Sequence, residues 1–292
     1  MHVGKKEQKA MSEKATPEQL LASTARWTAA VRARESLRED HLFQDPWAAI
    51  LAGKEGQEWI EHRSEDSVVA MVLRTRFFDD FLQRISHQYA IKQIVLMAAG
   101  LDTRAFRLTW HIQTRIFELD QPALLQYKEQ ILKSAGAQPN CERNMIAVDL
   151  TGPWKKELIN AGFNPQQPSG WLLEGFLFYL PNESITNILD EITSLAAPGS
   201  WVGFDIINSI TLTSPWTRSW VEMQAQAGAP WIGTMDDPKE FLTVRGWNAS
   251  LCQLGENDAN FDRWPYPVLP DTLPDMPRNW FVTAHKEEQG FL

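Results

Sequence analysis

The chain has 292 residues, of which 43% are hydrophobic and 22% are charged, as in an ordinary globular protein. Its net charge of −9 argues against nucleic acid and anionic membranes as partners, because both require basic surfaces. The two cysteines, Cys141 and Cys252, have neither metal-ligand nor disulfide spacing, and no run reaches the roughly 20 apolar residues of a membrane helix. These features predict a cytoplasmic protein that holds no metal.

The N-terminal part is predicted to be helical. Residues 1–17 are polar and mixed in charge, which indicates a flexible tail. Residues 18–90 are predicted to form a helical cap in which apolar residues recur at helical spacing. One amphipathic face is expected to contain Leu20, Leu21, Trp27, Val31 and Leu37.

Residues 91–208 alternate between strand and helix patterns. Five strands are predicted, at Gln93–Ala99, Thr114–Leu119, Arg143–Val148, Gly170–Leu173 and Ser200–Ile207. Helices are predicted between them, at Pro122 to about Lys133, Trp154–Ala161 and Asn182–Leu195, the last with Asn182 as its N-cap. This alternation predicts a parallel, doubly wound sheet.

Residues 209–292 are less regular and complete a single domain that is predicted to span 18–292. A helix is expected at Trp216–Ala227 and an edge strand at Phe281–Ala284. The stretch 257–267 is rich in aromatic residues and turn formers, which suits a rigid loop over a pocket. Eight of the 13 tryptophans lie from Trp171 onward, and they favour a packed core and an apolar ligand pocket equally.

The most informative segment runs from Gln93 to Asp120. An apolar run ends at Gly100, and Asp120 follows 20 residues later, the spacing at which a nucleotide-binding unit places a carboxylate on a ribose. A dinucleotide needs three glycines, and Asp102 would put negative charge where its phosphates lie. A nucleoside with an ammonium group and no phosphates, such as S-adenosylmethionine, fits better. Alternatively, Asp102 or Thr103 merely caps a helix.

The other predicted strand ends also carry acids, at Asp149, Glu174 and Asp205. Ligands of open α/β sheets bind at these ends, so the acids favour a cationic, hydroxyl-rich ligand. Glu174 lies in an apolar run, where an unpaired carboxylate is rare, and this favours a functional role. Asp205 fits substrate contact and strand capping equally well.

Two arginines precede the first strand. Taken alone, Arg74 and Arg76 favour a solvated helix face in which they pair with Asp79 and Asp80.

Five segments in order nevertheless resemble the leucine carboxyl methyltransferase family, and in particular its bacterial branch of S-adenosylmethionine-dependent methyltransferases. The resemblance runs from about Thr24 to Asn208. The segments are Arg74–Leu82, Gly100–Arg104, Phe117–Pro122, Val148–Leu150 and Leu173–Gly175.

The resemblance implies a class I methyltransferase fold, that is, a Rossmann-like, mostly parallel sheet with an N-terminal helical cap and an elaborated C-terminal region. It also implies the cofactor contacts. Arg74 would pair with the cofactor carboxylate, and the turn from Gly100 to Asp102 would lie under the methionine part. Asp120, with Glu118 nearby, would bind the ribose.

The remaining implied contacts concern the adenine and the reacting centre. Asp149 and Leu150 would contact the adenine, and Glu174 would lie near the cofactor amino group and the substrate. Arg32 would lie near the reacting centre, a role for which Arg34 competes. Candidate proton acceptors are His87, His111, Glu174, Tyr179 and Asp205.

The resulting expectation is O-methylation of a hydroxyl or carboxylate on a small molecule, in polyketide or peptide natural-product biosynthesis. Methylation of a protein or peptide C-terminal carboxylate and non-catalytic binding of S-adenosylmethionine are the alternatives. An NAD-type oxidoreductase is disfavoured, because the single Gly100 cannot fill the three glycine positions of that fingerprint.

Overall fold

The computed structural model describes residues 17–61 and 63–287, so the predicted tail, apart from Pro17, lies outside the described residues. Its seven strands are β1 (Gln93–Met97), β2 (Arg115–Asp120), β3 (Glu142–Ala147), β4 (Ser169–Leu173), β5 (Trp201–Ile207), β6 (Trp247–Gln253) and β7 (Asn279–Lys286). They form one sheet in the order β3-β2-β1-β4-β5-β7-β6. The five strands predicted in 91–208 all form, with bounds shifted by one or two residues.

Within the described residues, three helices precede the sheet: α1 (Pro17–Ser36), α2 (Ala48–Glu61) and α3 (Glu65–His87). Those between the parallel strands are α4 (Arg104–Arg107), α5 (Pro122–Ser134), α6 (Trp154–Asn160) and α7 (Asn182–Leu195). The C-terminal region adds α8 (Ser209–Thr213), α9 (Arg218–Gln226), α10 (Pro238–Thr243) and α11 (Asn257–Asn260). None of the described helices is long and apolar enough to cross a bilayer.

The sheet is mostly parallel, as predicted. β1 pairs in parallel with β2 and β4, and every residue of β1 and β4 is buried, as expected for strands covered on both faces. The chain runs outward from β1 to β3 and then returns to β4. The strand order therefore reverses between β1 and β4, and such a reversal opens a crevice at the carboxyl ends of the strands.

The C-terminal strands differ from the prediction. The segment Phe281–Ala284 belongs to β7, which is not an edge strand, because it lies antiparallel between β5 and β6. Val282 accordingly has no exposed surface. The edge is β6, which the sequence did not reveal because polar Asn248 and Ser250 face solvent and interrupt its apolar run.

Two local expectations are also corrected. Pro181 holds the N-cap position of α7, and Asn182 instead accepts a hydrogen bond from the Thr234 backbone N–H at 2.9 Å. Leu37 lies beyond the end of α1 and is 88% exposed, so it is not part of the buried helix face.

Two glycines bring α3 close to the sheet. A Cβ on Gly170 would lie 2.4 Å from Ile85 Cδ1, and a Cβ on Gly203 would lie 2.8 Å from Phe81 Cε1. Both contacted side chains belong to α3 and are buried. The small residues in β4 and β5 therefore fix the height of α3 over the strand ends, where Arg74 lies.

Replacement of Gly203 by valine is predicted to overpack this contact and lower the free energy of unfolding by about 2 kcal/mol. Urea denaturation measures the change. Ala147→Val, at an exposed position of β3, is the control and should be nearly neutral. An equal effect of the two substitutions would show that α3 is not held by this contact.

Candidate functional site

A cavity of about 230 Å³ lies at the carboxyl ends of the parallel strands. Residues of α1 and α3, the turn after β1, and the ends of β2, β3 and β4 line it. Eight of the nine predicted site residues are among them: Arg32, Arg74, Gly100, Asp102, Asp120, Asp149, Leu150 and Glu174. The crevice expected from the strand order is therefore present, and it collects side chains from separate parts of the chain.

Asp120 ties the end of β2 to the turn after β1. Its Oδ2 accepts from the Gly100 backbone N–H at 2.6 Å, and its Oδ1 accepts from the Gln121 N–H at 2.6 Å. Gly100 has φ of +46°, a conformation that favours glycine. Burial raises the pKa of Asp120, although the two backbone donors oppose the shift. No side-chain cation of the described chain forms an ion pair with it.

Glu118, the ninth predicted residue, does not line this cavity. It points to the same face of β2 as Asp120 but lies one pleat deeper, and it is fully buried under α5. There it accepts from Lys128 Nζ at 2.9 Å and from Arg143 Nη2 at 2.8 Å. Its charge is compensated inside the protein, so in this structure it stabilises the packing of α5 on the sheet.

Arg74 joins two strand ends. Its Nε lies 3.1 Å from Glu174 Oε1 at the end of β4, and its Nη1 lies 3.1 Å from Asp205 Oδ2 in β5. A Cβ on Gly175 would lie 3.0 Å from Arg74 Nη2, so a glycine with φ of +66° leaves room for the guanidinium. The interpretation of Arg74 as a solvated residue is therefore wrong, whereas Arg76 does pair with Asp80, at 2.9 Å.

Arg104, the last residue of the Gly100–Arg104 segment, is a second buried guanidinium, and the sequence predicted no role for it. Its Nη2 lies 2.7 Å from Glu174 Oε2, and its Nε donates to Asp79 Oδ1 at 2.7 Å. It also forms an ion pair with Asp102, which accepts from the Arg104 backbone N–H at 2.6 Å. The Asp102 side chain therefore bonds to the first residue of α4, whose N-cap position is held by Thr103, and it lines the cavity at the same time.

The arginines set the ionisation of these acids. Burial by itself would raise the pKa of Asp102, but Arg104 lowers it to about 2. Burial is likewise outweighed at Glu174, whose pKa is lowered by Arg104 and Arg74. At Asp205 burial prevails, and its pKa is raised despite Arg74 and the N–H of Gly175.

Arg32 and Arg34 are distinguished by their surroundings. Arg32 is buried in the cavity wall, where its Nε donates to Asp45 Oδ2 at 2.8 Å and its Nη2 to the Leu101 carbonyl at 2.6 Å. Arg34 points away and pairs with exposed Glu65. Of the two competing residues, Arg32 reaches the cavity.

The far end of the cavity is formed by the segment after β3. Asp149 Oδ1 accepts from the backbone N–H and the hydroxyl of Thr151, at 2.9 and 2.8 Å. Leu150 and Leu124 add buried apolar surface there. Lining residues that the sequence did not single out include Thr28, Thr75, Leu96, Met97 and Phe176.

The remaining candidate proton acceptors differ in whether they line the cavity. Tyr179 lines the cavity, and burial raises its pKa to about 12. His87 bonds to the Thr109 carbonyl and His111 to the Ile112 carbonyl, and neither lines the cavity. The stretch 257–267 is also absent from its wall, because it packs toward the cap, where the Tyr266 hydroxyl donates to Asp66 at 2.7 Å.

Solved structures share this architecture. A protein described as a methyltransferase from Thermobifida fusca YX superimposes with a TM-score of 0.61 at 15% identity, over 90% of this chain and 94% of that one. A DUF574 family protein from Streptomyces avermitilis gives a TM-score of 0.58 at 15% identity, over 89% and 97%. The predicted class I methyltransferase fold is confirmed.

Sequence relatives define the family. Residues 25–193 match the leucine carboxyl methyltransferase family. A relative from Mycolicibacterium gilvum is 32% identical over 286 residues, covering 90% of this chain and 94% of the relative, and one from Streptomyces coelicolor is 37% identical over 265 residues, covering 85% and 90%. Both are named as S-adenosyl-L-methionine-dependent methyltransferases. The chain belongs to the leucine carboxyl methyltransferase family, which confirms the predicted enzyme class and cofactor.

The buried ion pair between Glu118 and Lys128 allows a test of whether Glu118 belongs to the cofactor site. Lys128→Met leaves Glu118 with one cation, and the free energy of unfolding should fall by about 2 to 3 kcal/mol. Affinity for S-adenosylmethionine should change little, because neither residue lines the cavity. Thermal melting and calorimetry measure the two effects, with exposed Lys133→Met as the control. A large loss of affinity at unchanged stability would return Glu118 to the cofactor site.

Proposed function

We propose that the cavity binds S-adenosylmethionine and that the enzyme transfers its methyl group to an oxygen of a small-molecule acceptor. The observation that carries the proposal is the convergence on one cavity of eight residues chosen from sequence for this cofactor. They come from two of the described cap helices, α1 and α3, and from four strand ends. A structural ion-pair cluster alone would not require the apolar wall of Leu150 and Leu124 beside the charged groups.

The side chains present are complementary to the groups of this cofactor. Asp120 is a buried acceptor with no ion-pair partner among the described residues, as suits two ribose hydroxyls. Arg32 and Arg74 are cations in the wall for a carboxylate, and Glu174 is an anion for an ammonium group. Asp149 and Leu150 offer a polar edge and an apolar surface, as an adenine requires.

When bound, the cofactor supplies a methyl group activated by a positively charged sulfur. The chain contributes position and a dry environment, which are the main terms for a reaction in which charge disappears. Arg74 and Arg104 hold Glu174 in place with 3.1 and 2.7 Å contacts, so its carboxylate is fixed before any ligand arrives. The cavity residues are thus preorganised rather than recruited on binding.

An oxygen acceptor on a small molecule is our finer proposal. Arg32, Arg74 and Arg104 are the cations in the described wall, and each is already paired with an acid. Once the cofactor carboxylate is bound, little positive charge remains to hold a polypeptide carboxylate. A role in polyketide or peptide assembly rests on the sequence resemblance alone.

Removal of the proposed ribose acceptor tests the cofactor assignment. Asp120→Ala should weaken S-adenosylmethionine binding by at least about tenfold, because charge-assisted hydrogen bonds to the ribose are lost. Isothermal calorimetry measures the affinity, and circular dichroism checks that the fold is kept. Asp80→Ala, at an exposed ion pair of α3, is the control. Unchanged affinity in Asp120→Ala would remove the ribose from this position.

The raised pKa of Asp120 predicts a pH dependence. Burial raises the pKa of Asp120, so below that pKa the free protein holds a proton on this carboxyl group. Ribose hydroxyls donate to the ionised carboxylate, so binding the cofactor releases this proton. Affinity should therefore rise with pH through a window above the ordinary carboxyl value of 3.8 and then level off. Asp120→Asn should bind more weakly and lose this dependence. A parent protein with a flat profile across the window would contradict the assignment.

A further inference from the structure

Asp79 is a buried acid of α3 that does not line the cavity. It accepts from Arg104 Nε at 2.7 Å and from Arg107 Nη1 and Nη2 at 2.6 and 2.7 Å. Two guanidinium groups therefore share this one carboxylate. Of the two arginines, Arg104 lines the cavity and Arg107 does not. Any effect of Asp79 on a ligand in the cavity therefore passes through Arg104.

Arg104 connects Asp79 to the cavity. It forms ion pairs with Asp102 and, at 2.7 Å, with Glu174. Its Nη2 also donates to the Thr75 carbonyl at 3.3 Å. All three nitrogens of this guanidinium are thus bonded, so Arg104 cannot turn toward a ligand without losing one of these bonds. It holds Glu174 at the cavity wall as a fixed cation that Asp79 holds in turn.

The charges in this region do not cancel. Within the described residues, the ion pairs around Glu174 form one connected network of three guanidinium groups and four carboxylates: Arg74, Arg104, Arg107, Asp79, Asp102, Glu174 and Asp205. Counted in their ionised forms, these groups leave one negative charge uncompensated. Arg107 also lies 3.9 Å from Asp45, but Arg32 compensates Asp45 at 2.8 Å, so the excess stays the same.

The excess negative charge favours a cationic group in the cavity. Two carboxylates of the network line the cavity, Asp102 and Glu174. Both remain ionised, because neighbouring arginines hold their pKa values below the ordinary range. An ammonium group beside them would neutralise the network. Without one of the four buried carboxylates, the network would have no excess charge for that group to neutralise.

We propose that Asp79 is a positioning residue that, through Arg104, sets the negative charge by which the cavity holds the ammonium group of its cofactor. In the proposed function, on which this inference rests, Glu174 is the anion for that group. Loss of the Asp79 charge makes the network neutral, whereas loss of the Arg107 charge makes it doubly negative. The same buried ion pair can therefore be broken from either side, with opposite effects on an ammonium-bearing ligand.

Calorimetric titration of the full chain with two ligands measures this charge effect without turnover. S-adenosylhomocysteine carries the ammonium group, and its deamino analogue keeps the carboxylate and lacks only that group. Asp79→Asn should lower the affinity ratio of the first ligand to the second about tenfold, and Arg107→Met should raise it about tenfold, because each changes the network by one unit charge. Asp80→Asn, at the exposed pair with Arg76, is the matched control and should leave the ratio unchanged.

A double variant removes the buried pair as a whole. Asp79→Asn combined with Arg107→Met leaves neither charge buried alone, so it tests the inference even where a single variant fails to fold. It restores one excess negative charge and should recover the parent ratio.

Four results would overturn the proposal and leave the proposed function intact. They are equal binding of the two ligands by the parent, a parent-like ratio in folded Asp79→Asn, a lowered ratio in Arg107→Met, and a lowered ratio in the double variant. A loosened fold would weaken both ligands equally and would not move the ratio. A parent protein that binds neither ligand would refute the proposed function, and this inference with it.

Discussion

The arrangement of the site depends on the burial of arginine side chains between the helical cap and the strand ends. Arg104 bonds to Asp79 of α3 and to Glu174 at the end of β4, and Arg74 extends the network to Asp205 in β5. A buried charge is tolerated only when partners and hydrogen bonds compensate its lost hydration. The cap and the sheet therefore satisfy each other's charges, and the position of one determines the position of the other.

The same network divides the acids of the cavity into two kinds. Asp102 and Glu174 are compensated by guanidinium groups, which lower their pKa values against the effect of burial. Asp120 is held by backbone N–H groups, and its pKa is raised. Compensated acids shape the cavity and fix its charge, whereas Asp120 keeps hydrogen-bonding capacity for a ligand. Whether an acidic side chain of the cavity is compensated or remains able to bind a ligand therefore depends on whether its partners are arginines or backbone N–H groups.

Much of the α/β core followed from the sequence because its strands are short apolar runs bounded by turns. The ends of those runs located Gly100, Asp120 and Glu174 in one cavity, since parallel strands end at the same edge of a sheet. Side-chain direction was harder to predict. Glu118 and Asp120 share a face of β2. Only the structure shows that Lys128 packs on Glu118 and that Asp120 is the acid that lines the cavity.

The C-terminal region was less predictable from the sequence than the α/β core. Its edge strand β6 alternates polar and apolar residues, and the partner that makes it a strand, β7, follows after a long connection. The aromatic stretch 257–267 suited a pocket loop by composition, but contacts such as Tyr266 with Asp66 hold it on the cap. Trp220 and Trp231 do contact each other beside a cavity. They come from separate segments, so only the tertiary structure reveals that they are close.

Arg74 connects these observations. It lines the first cavity, where it pairs with Glu174, and it also lines a smaller second cavity of about 50 Å³, where it pairs with Asp205. A ligand carboxylate that engaged Arg74 from the first cavity would compete with Glu174 and Asp205 for the same guanidinium. Any resulting shift of Arg74 would change the wall of the second cavity. The geometry therefore couples the two cavities through one side chain whose hydrogen bonds are shared between them.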